Sequence, residues 1–170
     1  MLPAVLSPAR QSSMPSASAA TSIASQIKEP ARVPDQARYA RGLIDSSVVI
    51  DLGQIEVTNL PEEFAVSAIT MAELAAGPHA TDDPAERARR QDRLQRAEAT
   101  FDAIPFDDQA ARCYGRIYAA VVGGGRKARG ARAVDLLIAA AALAAGLPLY
   151  TRNANDFRAL DALIEVVAVP

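Results

Sequence analysis

From residue 131 to residue 157 the chain reads ARAVDLLIAAAALAAGLPLYTRNANDF. Val134 begins a run whose side chains are nearly all apolar and mostly small, and Gly146 ends it. The pattern predicts an Ala-rich helix over 134–145, thin enough to lie deep against a sheet, with Gly146 as its C-cap. Residues 147–151 then read as a short buried strand, and a short helix is expected from Asn153. A buried helix feeding a buried strand is half of a parallel α/β unit. An acid stands at each junction, Asp135 in the expected first turn of the helix and Asp156 just beyond the strand.

Working outward, the same alternation recurs. Leu43 and Ile44 form a short apolar strand ending at Asp45, with a helix expected through Val48 to residue 52. A second strand is expected over 64–68 and a helix from Thr70 that stops at Gly77 and Pro78. Residues 84–103 read as a long polar helix with Leu94, Ala97 and Phe101 on one face, and 104–106 as a short strand. Asp107 and Asp108 cap a further helix that ends at the triple glycine 123–125, and residues 164–169 supply a last strand. The expected fold is α/β, a mostly parallel central sheet flanked by helices.

Composition narrows the function. The 170 residues carry a net charge of −2, so the chain is not a basic nucleic-acid coat. One Cys and one His exclude a disulfide framework, a thiolate zinc site and paired-histidine chemistry. The longest apolar run, residues 136–145, is ten residues and too short to span a bilayer. These features lead us to expect a cytoplasmic protein with no membrane association. The first forty residues differ from the rest, with seven serines and five of the eleven prolines. They are expected to be a disordered leader over 1–40 with at best a helical turn near 22–27, or the product of a mispredicted start, ahead of one domain over 41–170.

Four acids, Asp45, Glu73, Asp135 and Asp156, sit where strands run into helices, and in an open parallel sheet those junctions gather along the carboxyl edge. Each also has a purely structural explanation. Thr70 and Glu73 have capping-box spacing, as Asn153 and Asp156 do in looser form. Asp45 suits an N-cap and Asp135 suits a helix dipole. Against this, Asp45 and Asp135 are embedded among aliphatics, unlike solvated surface charges. Two carboxylates about 4 Å apart repel by about 4 kcal/mol at an effective dielectric of about 20, so a cluster needs a cation or bound protons. With oxygen ligands only, the cation should be hard, Mg²⁺ or Mn²⁺.

The segments LIDSSVVI around Asp45, AEL at 72–74, AVDLLIAAAA around Asp135 and LYTRNANDF ending at Phe157 resemble, in order and spacing, a PIN-domain ribonuclease. The similarity is greatest to the VapC toxins of type II toxin–antitoxin systems. The resemblance spans residues 42–170 and implies a three-layer PIN-like fold with Asp45, Glu73, Asp135 and Asp156 as the acidic site. It implies Mg²⁺ or Mn²⁺ held by Asp45 and Asp135, with Glu73 and Asp156 as further ligands, and cleavage of RNA phosphodiesters. Ser46 stands where the family usually has Thr and keeps the hydroxyl, while Thr151 and Asn153 match the polar support of the fourth acid. The resemblance also implies a homodimer and a VapB-like antitoxin whose C-terminal segment crosses the acidic groove.

Two basic stretches flank this set. RARRQDRLQR at 87–96 is expected to be a salt-bridged solvent face. GGGRKARGAR at 123–132 brings Arg126, Lys127, Arg129 and Arg132 to the approach of Asp135, where they are candidates for RNA-backbone contact. It contains no phosphate-binding P-loop. His79 reads as a surface residue, and Cys113, Tyr114 and Tyr118 as core or dimer contacts. Two other functions compete: a phosphatase-like hydrolase with Asp45 as nucleophile, and a non-catalytic PIN-like binding module. The first usually wants a second acid two residues on, where Ser47 stands.

Overall fold

The structure, a computed structural model, describes residues 39–170. Apart from Tyr39 and Ala40, the expected leader and the helical turn near 22–27 lie outside those residues. Four strands, β1 Arg41–Ile44, β2 Glu63–Ala65, β3 Leu149–Thr151 and β4 Val166–Ala168, pair in parallel in the order β2-β1-β3-β4. Leu43 sits opposite Ala65 on one side and Leu149 on the other, which places the ends of β1 and β3 side by side.

Among the described residues, five α-helices cover the sheet: α1 Ser46–Asp51, α2 Ala68–Ala76, α3 Pro84–Thr100, α4 Asp108–Gly123 and α5 Ala131–Ala145. Period-two alternation along the strands sorts them into layers. Leu43 and Leu149 point into a core with Ile117 and Val121 of α4 and Leu136, Ile138 and Ala139 of α5. Their neighbours Ile44 and Tyr150 point the other way, toward Val48 of α1, Leu74 of α2 and Leu94 of α3. The result is the expected three-layer architecture. With Ala at four consecutive fully buried positions, 139–142, α5 can approach the sheet closely. Gly146 ends it in the left-handed conformation, φ 66°, that favours glycine. Gly42 is demanded by packing instead, since a Cβ there would lie 2.6 Å from the Tyr150 ring. Among the described residues no helix is long and apolar enough to cross a membrane.

Several element boundaries differ from expectation for identifiable reasons. Helix α2 opens at Ala68, with Ser67 rather than Thr70 as the turning point: Ser67 Oγ accepts from Thr70 N at 3.0 Å. Helix α5 opens at Ala131, three residues before the apolar run, so Asp135 falls beyond the first turn and no acid complements the helix N-terminus there. Residues 104–106 do not form a strand. Ile104 makes one parallel bridge to Ser67 and the pairing goes no further, because Ser67 caps α2 and its chain turns into the helix at Ala68. The long helix closes at Thr100, and a seven-residue 3₁₀ helix, Ala154–Leu160, takes the place of the short helix expected after β3.

Candidate active site

Asp45 leaves the end of β1 and serves as the N-cap of α1, its Oδ1 accepting from Val48 N at 3.0 Å. The capping role and a ligand role are compatible, because only one oxygen is occupied. The same Oδ1 accepts from Ser47 Oγ at 2.6 Å, while no described residue donates to Oδ2. Asp45 is only 5% exposed, so the charge is held by these two donors and not by bulk water. Its own backbone N–H donates to Tyr150 O at 3.1 Å, which ties the acid to β3.

Glu73 lies in the second turn of α2, and its Oε2 accepts from Ser46 Oγ at 2.8 Å. The capping box expected with Thr70 is absent: Thr70 Oγ1 is hydrogen-bonded with Ser67 Oγ, and Glu73 turns toward α1. Asp156 sits in the 3₁₀ helix after β3, where Asn153 makes no side-chain cap and Asp156 N donates to the Asn153 carbonyl. Its Oδ1 accepts from Arg132 Nη2 at 3.0 Å. Thr151 is fully buried and its Oγ1 accepts from Asn153 N at 3.0 Å, so the hydroxyl shapes the turn that carries Asp156. The Asn153 side chain is exposed.

Asp135, half-buried on α5, accepts no hydrogen bond from any described residue. Its carboxyl is pushed up to about 6, first by burial and then by the negative charges of Glu73, Asp156 and Asp45, with Arg132 opposing. All four sequence-predicted acids therefore share one electrostatic neighbourhood, drawn from four elements. No three of them, among the described residues, already converge as the ligands of a single ion. The donor set nevertheless fits a hard divalent cation: every donor is a carboxylate oxygen, Asp45 keeps Oδ2 free, and the proton affinity of Asp135 marks a site short of positive charge.

Two contacts were not legible locally. Ser47 Oγ donates to Asp45 and accepts from Arg152 N at 3.1 Å, so one hydroxyl links the first acid to the segment leading to the fourth. Its signal is the Ser two residues past an N-cap acid, within reach of that acid's carboxylate. Beyond it, the Arg152 guanidinium pairs with Asp51 of α1. The basic loop divides: Arg126 and Arg132 bind the Asp156 turn, whereas Lys127 and Arg129 are exposed without a described partner. On α3, Arg89 and Arg90 pair with Glu86 as expected of a salt-bridged face. Cys113 is in the core, Tyr118 is exposed and His79 lies on an exposed 3₁₀ turn. A cleft of about 360 Å³ borders Ser46 and Glu73, and a separate cavity of about 550 Å³ between α1 and α3 touches none of the four acids.

The description of the PIN domain matches residues 35–163, which takes in every one of these acids. The chain belongs to the PIN-domain family. Ribonuclease VapC5 of Mycobacterium tuberculosis is 36% identical over 135 residues, covering 76% of this chain and 96% of that protein. Ribonuclease VapC of Rickettsia bellii is 27% identical over 133 residues, 75% of this chain and 96% of the relative. The crystal structure of VapBC-5, a toxin–antitoxin system member from M. tuberculosis, superposes with a TM-score of 0.68 at 35% identity, over 76% of this chain and 99% of that one. Within the PIN-domain family the chain therefore stands with the VapC ribonucleases.

Proposed function

We propose that this PIN domain is an Mg²⁺- or Mn²⁺-dependent endoribonuclease, the toxic half of a type II toxin–antitoxin pair. The observation that carries the reading is the carboxylate set itself: within a VapC-like chain, burial together with the charges of Glu73, Asp156 and Asp45 raises Asp135 to about 6. Asp45 and Asp135 would hold the ion, with Glu73 and Asp156 as further ligands. Such an ion supplies Lewis acidity toward a phosphate oxygen and lowers the pKa of a water. The chain's own residues do the aiming. Ser47 and the Val48 amide hold Asp45 by one oxygen, leaving the other for the site. Ser46 orients Glu73 from the next helix, and Thr151 sets the turn of Asp156. Lys127 and Arg129, exposed beside this edge, suit contact with the RNA backbone.

In-line attack by water would leave a 3′-hydroxyl and a 5′-phosphate. The phosphatase-like alternative loses ground on geometry, since Ser47 stands where a second acid would be and spends its proton on Asp45. By likeness to VapBC-5, a toxin–antitoxin system member, we take the partner to be a VapB-like antitoxin; the resemblance to the VapC toxins further leads us to propose a homodimer.

Purified protein incubated with Mn²⁺ and a labelled structured RNA should cut internally. Asp45→Asn and Asp135→Asn should each abolish cleavage while unfolding cooperatively. Full cleavage by either variant at saturating Mn²⁺ would overturn the site, and intact RNA with the wild type would leave a binding module.

A further inference from the structure

Arg132 lies in the first turn of α5, one helical turn before Asp135, with 28% of its side chain exposed. Its Nη2 donates to Asp156 Oδ1 at 3.0 Å, and the same charge acts on Asp135 against the three carboxylates around it. Arg126 grips the same turn from the far end of the loop, with both Nη atoms 3.2 Å from the Asn155 carbonyl. The contacts differ in kind. Arg126 reaches only backbone carbonyls, whereas Arg132 holds a carboxylate of the site itself.

We propose that Arg132 is the built-in counter-cation of the carboxylate cluster and competes with the divalent ion for Asp156. The inference rests on the metal-dependent reading above and adds a regulator to it. Four clustered acids without a cation oppose folding, and a guanidinium fixed on one of them offsets part of that repulsion. The same contact occupies an oxygen that an incoming ion needs. Two cations that exclude one another from a shared carboxylate are antagonistic by linkage, so each weakens the other by the same factor. Loading the site then releases a guanidinium beside it, with its donor fork open to a phosphate oxygen. Arg132 therefore acts as a positioning residue in the empty site, and its contact with RNA is conditional on the ion. Asp156 is 44% exposed, so the pair is weak and the competition modest, about fivefold in ion affinity.

The test is calorimetric titration of Mn²⁺ into the metal-free full chain, with the melting temperature read alongside. Arg132→Gln should bind Mn²⁺ about fivefold more tightly than wild type, with a larger Mn²⁺-induced rise in melting temperature. Arg132→Lys, which keeps the charge, should stay near the wild-type value. In an Asp156→Asn background the Arg132→Gln gain should disappear, because the shared carboxylate is gone. Equal or weaker Mn²⁺ binding by Arg132→Gln overturns the proposal, as does a gain that survives in the Asp156→Asn background. A wild type that binds no Mn²⁺ at all overturns the metal-site reading itself, and this proposal with it.

Discussion

At Asp135, burial and three like charges act in one direction, and a single arginine acts in the other. The carboxyl rises from 3.8 to about 6, so the folded chain holds a proton that the unfolded chain has already released. Stability therefore falls as pH rises from about 4 to about 6, and the full penalty persists above that. Asp135→Asn removes the penalty without removing a hydrogen bond. Two pH units in a fully buried group would correspond to about 3 kcal/mol. Asp135 is half-buried, and solvent screening reduces the expected gain to about 1 kcal/mol, or about 3 °C in melting temperature near neutral pH. Thermal melts of the metal-free proteins should show that gain at pH 7.5 and none at pH 4. A gain independent of pH would assign it to packing.

At the scale of the element, what matters is how each helix begins, because that sets which face carries the acid. Ser67 is fully buried, caps α2 through Thr70 N, and shares a second hydrogen bond with the Thr70 hydroxyl at 2.9 Å. Ser67→Ala removes the cap and strands a buried hydroxyl, at a cost of about 1–3 kcal/mol. Since α2 also carries Glu73, the variant should lose both urea stability and nuclease rate, whereas Thr58→Ala, on a separate 3₁₀ turn, should alter neither by much. Unchanged stability in Ser67→Ala would show that water replaces the cap. Helix α5 teaches the converse lesson. Its apolar run predicts the buried portion, but the helix extends three residues further back, and that extension carries Arg132 to Asp156.

For the whole molecule, the sheet order β2-β1-β3-β4 places the ends of β1 and β3 side by side, and the acids of α2 and α5 close over them. A negative cluster built this way invites any well-placed cation, whether an ion, Arg132 or an arginine of the proposed antitoxin. Antitoxin binding through such an arginine should weaken in saturating Mg²⁺, by about tenfold if the two share carboxylates. It should also weaken for Asp45→Asn. Affinity measured by titration with and without Mg²⁺ decides the matter: if wild-type affinity is independent of Mg²⁺ and Asp45→Asn binds equally well, the proposed antitoxin inhibits from elsewhere.

The alternation of apolar runs and helical periods was enough to determine an α/β chain with a parallel sheet, the Gly146 stop, and Asp45 and Asp156 at the exits of strands β1 and β3, whereas Glu73 and Asp135 lie a turn inside their helices. Those features are local, since each depends on spacing within one turn or one strand. The tertiary structure alone decided which explanation applied to each acid. Ser46 meets Glu73 across 27 residues and Arg132 meets Asp156 across 24, and no periodicity records such pairs. Residues 104–106 had the apolar content of a strand, but the segment they pair with turns into α2 at Ala68 and leaves no partner to extend along. The proton affinity of Asp135 likewise exists only after folding, because it arises from charges that lie far apart in the chain and close together in space.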